Sequence, residues 1–208
     1  MTAVAATALL VAATASAALK PGTFDPGHTG CVTSVFSNGV LHLAKNCPTA
    51  TNASAGADIT GVNGQTFSSA SFTLANISQC QGGSPRFNVT ATNGTTSTTY
   101  FLGCNNVAPV TNTDGTVTYT FTAATIAAGG NQVPVPTGTI SSASVLIDVQ
   151  GTADVSNITF NGHAEVPKAG KGHGHGHGQK HKHGHGHGHG HDQHGQDQHG
   201  HDNDNDND

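Results

Sequence analysis

Twelve histidines stand between residues 173 and 201, at His173, His175, His177, His181, His183, His185, His187, His189, His191, His194, His199 and His201. Most are separated by a single glycine, as in HGHGHGHGHD over residues 183–192. Neutral imidazole is a common ligand of Zn²⁺, Ni²⁺ and Cu²⁺, and it ligates only when unprotonated. Glycine between the rings removes the steric cost of wrapping the backbone around an ion, so imidazoles two residues apart can converge. Four ligands to each tetrahedral zinc give the run a capacity of about three ions. Imidazole titrates near pH 6.5, so acid would charge the block and expel the metal. Asp192, Asp197 and the alternating Asp and Asn of residues 202–208 add oxygen ligands suited to weak Ca²⁺ binding. They lack the glycine and the distal glutamate of an EF-hand loop. The rival reading is a low-complexity spacer with no metal role.

Outside that run the chemistry thins out. The other three histidines are His28, close to Asp25 in FDPGH, His42 between Leu41 and Leu43, and His163 just after the last expected strand. No GxSxG, HExxH or paired-carboxylate pattern occurs, so the expectation is a protein that is not an enzyme. Carbohydrate recognition ordinarily stacks sugar rings on aromatic side chains. The chain has no Trp and only Tyr100 and Tyr119, and the alternation around both tyrosines turns them inward, which counts against a sugar site. Residues 1–165 carry three basic side chains, Lys20, Lys45 and Arg86, against six acidic ones, and the remainder carries four against six. A formal charge of −5 and a single arginine leave no basic surface for gripping phosphates, which excludes nucleic acid as an expected partner.

The elements that carry these residues follow from pattern. Residues 3–13 are apolar and lead to Ala15-Ser16-Ala17, the small-x-small sequence that a signal peptidase accepts. Residues 1–18 are therefore expected to be an export signal, cut near Ala17 or Ala18, and the mature chain to have no membrane span, which needs about 20 apolar residues. Export, to the extracellular space or cell surface, places Cys31, Cys47, Cys80 and Cys104 in an oxidising compartment. Asn38-Gly39 is a strong hairpin signal. A two-residue turn there sets Ser37 opposite Val40 and Cys31 opposite Asn46, so that one bulge residue would align Cys31 with Cys47. A second hairpin around Asn93-Gly94 brings Cys80 toward Cys104. The expected disulfides are Cys31–Cys47 and Cys80–Cys104; the absence of any CxxC pair argues against a four-cysteine zinc site.

From residue 19 to 165 the sequence is rich in Thr, Ser, Val and Gly and alternates with period two. Phe72 and Leu74, Phe87, Val89 and Ala91, Tyr100 and Leu102, Val117, Tyr119 and Phe121, Val145, Ile147 and Val149, and Ile158 and Phe160 mark successive strands. The expected fold is all-β, an antiparallel sandwich or jelly-roll of roughly eight to ten strands. Residues 166–208 are expected to be a disordered His/Gly/Asp-rich tail, since from Pro167 onward there is no Val, Leu, Ile, Phe or Tyr to offset the entropy of ordering.

Two resemblances accompany these readings. GSPRFNV followed by YFLGC, with TATNASAGADITGVNGQTF before them, resembles an uncharacterised group of secreted bacterial β-proteins over residues 48–104. That resemblance implies a bacterial host and unused sequons at Asn52, Asn76, Asn88, Asn93 and Asn157, and it implies no activity. The tail resembles, by composition, the histidine-rich segments of nickel-storage proteins, metallochaperones and zinc uptake systems. The expectation is thus a secreted protein that captures or stores a divalent transition metal through its tail, with a surface or transport partner. The alternative is an extracellular binding, adhesive or structural β-sandwich, including a carbohydrate-binding one, whose tail is incidental.

Overall fold

A computed structural model describes residues 18–130 and 133–167. Thirteen strands form among these residues: β1 (Ala18–Phe24), β2 (Val32–Ser37), β3 (Val40–Lys45), β4 (Ser54–Thr60), β5 (Ala70–Leu74), β6 (Arg86–Asn93), β7 (Thr96–Gly103), β8 (Val110–Thr111), β9 (Val117–Phe121), β10 (Thr139–Ile147), β11 (Gly151–Phe160), β12 (His163–Ala164) and β13 (Val166–Pro167). They build an all-β sandwich of two antiparallel-rich sheets. The first has the order β13-β1-β4-β10-β6-β7; the second has β2-β3-β11-β5-β9-β8, with β12 also on β11. The one α-helix among the described residues, α1 (Ala123–Ala128), is a single capped turn after β9: Thr122 and Thr125 bond each other's backbone amides.

Period-two alternation explains the core. Phe87, Val145, Ala57 and Leu102 project inward from the first sheet, and Leu41, Leu43, Val155, Phe72, Leu74, Tyr119 and Phe121 from the second; all are buried. Phe72 lies 5.5 Å from both Phe87 and Tyr119 by ring centroid, and Phe87 contacts Phe121 edge-on at 5.8 Å, so aromatic rings join the two layers. The expected alternation in β10 stops at Ile147, one step before Val149, because the chain turns there into β11.

Both expected disulfides form. Cys31–Cys47 spans 5.5 Å between Cα atoms, and Cys80–Cys104 spans 5.9 Å. The route to the first differs from the expectation. The β2–β3 ladder runs from Ser37↔Val40 to Val32↔Lys45 with no bulge, and Asn46 donates its amide to the Cys31 carbonyl at 2.8 Å. The bridge therefore crosses diagonally past the end of the ladder. The second hairpin keeps Asn93↔Thr96 to Arg86↔Gly103 in register. A tight reversal, in which Gln81 and Ser84 exchange two backbone hydrogen bonds of 2.9 Å, then returns Cys80 to Cys104. Gly82 and Gly83 occupy that reversal at φ +59° and +81°, a conformation that favours glycine.

Strand pairing also exceeds the expected body of residues 19–165 at both ends. Ala18 pairs with Thr60 of β4, and Val166 and Pro167, placed in the tail by composition, pair in parallel with Ala18 and Leu19. Two backbone partners suffice to hold this short edge segment although its side chains bury little.

Candidate ligand-binding groove

The outer face of the first sheet is assembled by strand register. Lys20, Asp58, Ser144, Asn88 and Phe101 fall in one row across β1, β4, β10, β6 and β7, and Gly22, Gly56, Leu146, Arg86 and Gly103 in the next. Glycine is required at Gly56: a Cβ there would meet the Leu146 Cβ at 2.6 Å. With Gly22, whose Cβ direction is open, it leaves a hollow of about 190 Å³ between Lys20, Phe24, Asp58 and Ser144. A second hollow of about 360 Å³ continues from it past Phe24, Ser54 and Leu146 to Arg86, Asn88 and Asp148, walled by the 49–53 loop.

Rigid polar groups line this trough. Arg86 donates Nη1 to Asp148 Oδ1 at 2.7 Å, its Nη2 lies 2.7 Å from Oδ2, and its Nε donates to Asn88 Oδ1 at 2.8 Å. Such a two-pronged pair fixes the guanidinium plane. That plane sits 5.1 Å above the Phe101 ring, a cation–π contact. Beneath the loop, Lys45 is 1% exposed and donates Nζ to the carbonyls of Thr49, Thr51 and Asp148 at 3.0, 2.7 and 2.7 Å. All three ammonium donors are satisfied by backbone, so Lys45 ties the loop wall to the end of β10. Phe24 and Phe101 are 54% and 52% exposed, an unusual state for phenylalanine, and lie on strands four spacings apart, about 19 Å. Arg86 is paired with Asp148, Lys20 stands in register with Asp58 on the same face, and the third cation of the lining, Lys45, is buried and taken up by three carbonyls.

The sequence-marked residues of the body fall elsewhere. His42 faces outward from the second sheet, as alternation requires, and its Nδ1 lies 2.7 Å from Asp154 Oδ1 with both side chains 46% exposed. Gln79 Nε2 reaches Asp154 Oδ2 at 3.4 Å. No hydroxyl or thiol hydrogen-bonds to His42 among the described residues, so the pair is an oriented surface histidine. Asp25 turns to Thr29 and Gly30 rather than to the His28 ring. The Thr29 backbone amide, followed by that of Gly30 and the Thr29 hydroxyl, holds its carboxyl below the ordinary range. His163 is exposed on β12. Tyr119 is inward and buried, which raises its hydroxyl's pKa, whereas Tyr100 is only half-buried, its hydroxyl 3.2 Å from Thr137 Oγ1. No group of three or more His, Cys, Asp or Glu close enough to hold a metal occurs among the described residues. Residues 1–17, all but the last of the expected export signal of residues 1–18, and the twelve tail histidines lie outside those residues. No helix among the described residues is long and apolar enough to cross a membrane.

Alternation turns the tyrosines inward, and among the described residues Phe24 and Phe101 are the aromatic rings most open to solvent. The signal for Phe101 was present: it stands between Tyr100 and Leu102, out of phase with the inward residues. Arg86, the only arginine in the chain, was equally visible. Nothing local tied either one to Phe24.

No protein-family profile matches the chain, and no curated protein does. Among solved structures it is similar to two variants of CBM29-2, described as a family 29 carbohydrate-binding module. The first has 9% identity and a TM-score of 0.35, covering 67% of this chain and 73% of the module; the second has 9% identity and a TM-score of 0.36, covering 70% and 82%. A likeness of that size does not carry the modules' ligand over to this chain.

Proposed function

We propose that the body is a non-catalytic binding module that holds a neutral carbohydrate chain along the outer face of the first sheet. The observation that carries this reading is the trough itself: Phe24 and Phe101 exposed on the β1 and β7 sides of a hollow floored by Gly22 and Gly56 and lined by Arg86, Asn88 and Asp148. Exposed rings accept the C–H faces of sugars, and fixed amide, carboxylate and guanidinium groups match sugar hydroxyls. The two cations on the outer face, Arg86 and Lys20, each stand beside a carboxylate and the Lys45 ammonium is buried against carbonyls, which favours a neutral polyol over a phosphate or sulfate ester. An open trough suits an extended polymer better than a small molecule, which is usually enclosed. Retention of the full chain on a panel of insoluble polysaccharides and on a glycan array tests this. Phe24→Ala or Phe101→Ala should each weaken retention roughly three- to tenfold without loss of fold. The reading fails if no glycan binds, or if binding survives both changes and Arg86→Lys undiminished.

A second reading rests on the sequence of the tail. The twelve histidines of residues 173–201 capture Zn²⁺, Ni²⁺ or Cu²⁺, for storage or detoxification outside the cell, with the aspartates adding weak affinity for Ca²⁺. Calorimetric titration of the full chain and of a version ending at Pro167 separates this from a body-borne site. Uptake should be confined to the full chain and lost as pH falls from about 7 to 5. Equal uptake by both versions would overturn it.

A further inference from the structure

Glu165 is used by neither site, yet it is the one buried carboxylate in the body. The residue is 4% exposed, and neither carboxylate oxygen has a hydrogen-bond partner. It lines a separate hollow of about 300 Å³ with Phe36 of β2, Gly39 of the β2–β3 turn, and Asn157, Ile158 and Thr159 of β11, none of which carries a charge. On its own strap the nearest titratable group, His163, is exposed. Burial without a partner pushes the Glu165 acid up to about 7. An orphaned buried carboxyl is costly, and in a mature protein it ordinarily has a counter-ion.

Strand register indicates where that counter-ion comes from. The strap of residues 163–167 passes from one sheet to the other. Ala164 still pairs with Thr159 of β11, and the Glu165 amide donates to the Ile158 carbonyl at 2.8 Å. One residue later Val166 pairs with Ala18 in parallel, followed by Pro167 with Leu19. Parallel strands run the same way, so the nitrogen end of Ala18 lies on the Glu165 side of Val166. Immediately upstream in the sequence is Ala15-Ser16-Ala17, whose small-x-small pattern directs hydrolysis to the bond after Ala17.

We propose that the chain is processed at the Ala17–Ala18 bond, and that the α-ammonium of Ala18 so released is the ionic partner of Glu165. Water adds across the amide, leaving a carboxylate on Ala17 and an ammonium on Ala18, and nothing is oxidised or reduced. An α-amino group is mostly protonated at neutral pH, so the pair forms there. The pairing ties the new N-terminus to the strap that joins the sheets, just ahead of the histidine-rich segment. It is independent of what the groove or the tail binds.

The test exports the full chain with its own leader from a bacterial host and reads the mature terminus by intact mass and N-terminal sequencing. The expected first residue is Ala18; a start at Leu19 or Lys20 overturns the proposal. Two forms are then compared, one beginning at Ala18 and one retaining Ser16-Ala17 ahead of it, both continuing through Asp208. Glu165→Gln should lower the folded-to-unfolded ratio in urea about tenfold or more in the first form and less than twofold in the second. Equal effects in the two forms overturn the pairing. Should the variant not fold, NMR titration of the wild-type Glu165 carboxyl decides. It should titrate near 7 in the extended form and at least one pH unit lower in the form beginning at Ala18, and identical titration in both overturns the proposal.

Discussion

A lysine and a glutamate, each almost fully buried, have opposite surroundings in this protein. Lys45 gives its three protons to three carbonyls, whereas Glu165 has no partner. Lys45→Ala should therefore be among the most damaging single changes, costing about 3 kcal/mol or more, because it strands the carbonyls of Thr49, Thr51 and Asp148 and leaves a void. Urea denaturation measures this, and a loss below about 1 kcal/mol would show that the loop wall does not depend on the lysine. For Glu165 the sign follows from the direction of its shift. With residues preceding Ala18 attached, its folded value of about 7 exceeds the usual 4.5, so the folded state holds a proton that the unfolded state releases. Stability should be fullest below about pH 4.5, decline as pH rises to about 7, and level off above. A flat urea midpoint across that window in the extended form would show that the carboxyl is solvated.

At the scale of elements, two hairpins and one strap organise the sandwich. The disulfides close segments separated by 16 and 24 residues at the open ends of the β2–β3 and β6–β7 hairpins. Replacing either pair by serine should cost about 2–4 kcal/mol, read from thermal or urea unfolding. The Cys31/Cys47 change should additionally loosen the 49–53 wall of the groove, since Cys47 enters that loop. Cys80/Cys104 replacement should leave the groove's affinity for its ligand closer to wild type, and the reverse order of effects on binding would break the link between the first disulfide and the site. β11 shows how a local irregularity frees one element for another. Its pairing with β5 shifts between Ser156 and Thr159, with Asn157 at φ +47°, and beyond the shift its other edge passes from β3 to β12. The bulge thereby makes room for the strap that carries Glu165.

Across the whole molecule, body and tail meet different tests. Ending the chain at Pro167 should leave the unfolding midpoint of the body within about 2 °C, because the strand pairing of Val166 and Pro167 is kept, while removing transition-metal uptake. A large fall in the midpoint would show that residues beyond Pro167 stabilise the sandwich. The all-β class, both hairpin turns and both disulfide pairs were legible in sequence, because alternation, Asn-Gly turns and cysteine spacing act over a few residues. The inward Phe72, Phe87, Tyr119, Phe121 and Phe160 were legible for the same reason. The register of β13 on β1 was hidden, since Val166-Pro167 carries no strand signal and is held only by an edge some 150 residues away. So was the trough: Phe24, Asp58, Arg86, Phe101 and Leu146 come from five strands, and no local pattern relates them. Composition and spacing determined which side chains face in or out and that the tail is a row of imidazoles. Only the pairing of strands distant in sequence decided which outward residues share one face and where the strap that carries Glu165 joins β1, because those neighbours are set by backbone hydrogen bonds between segments that carry no information about each other.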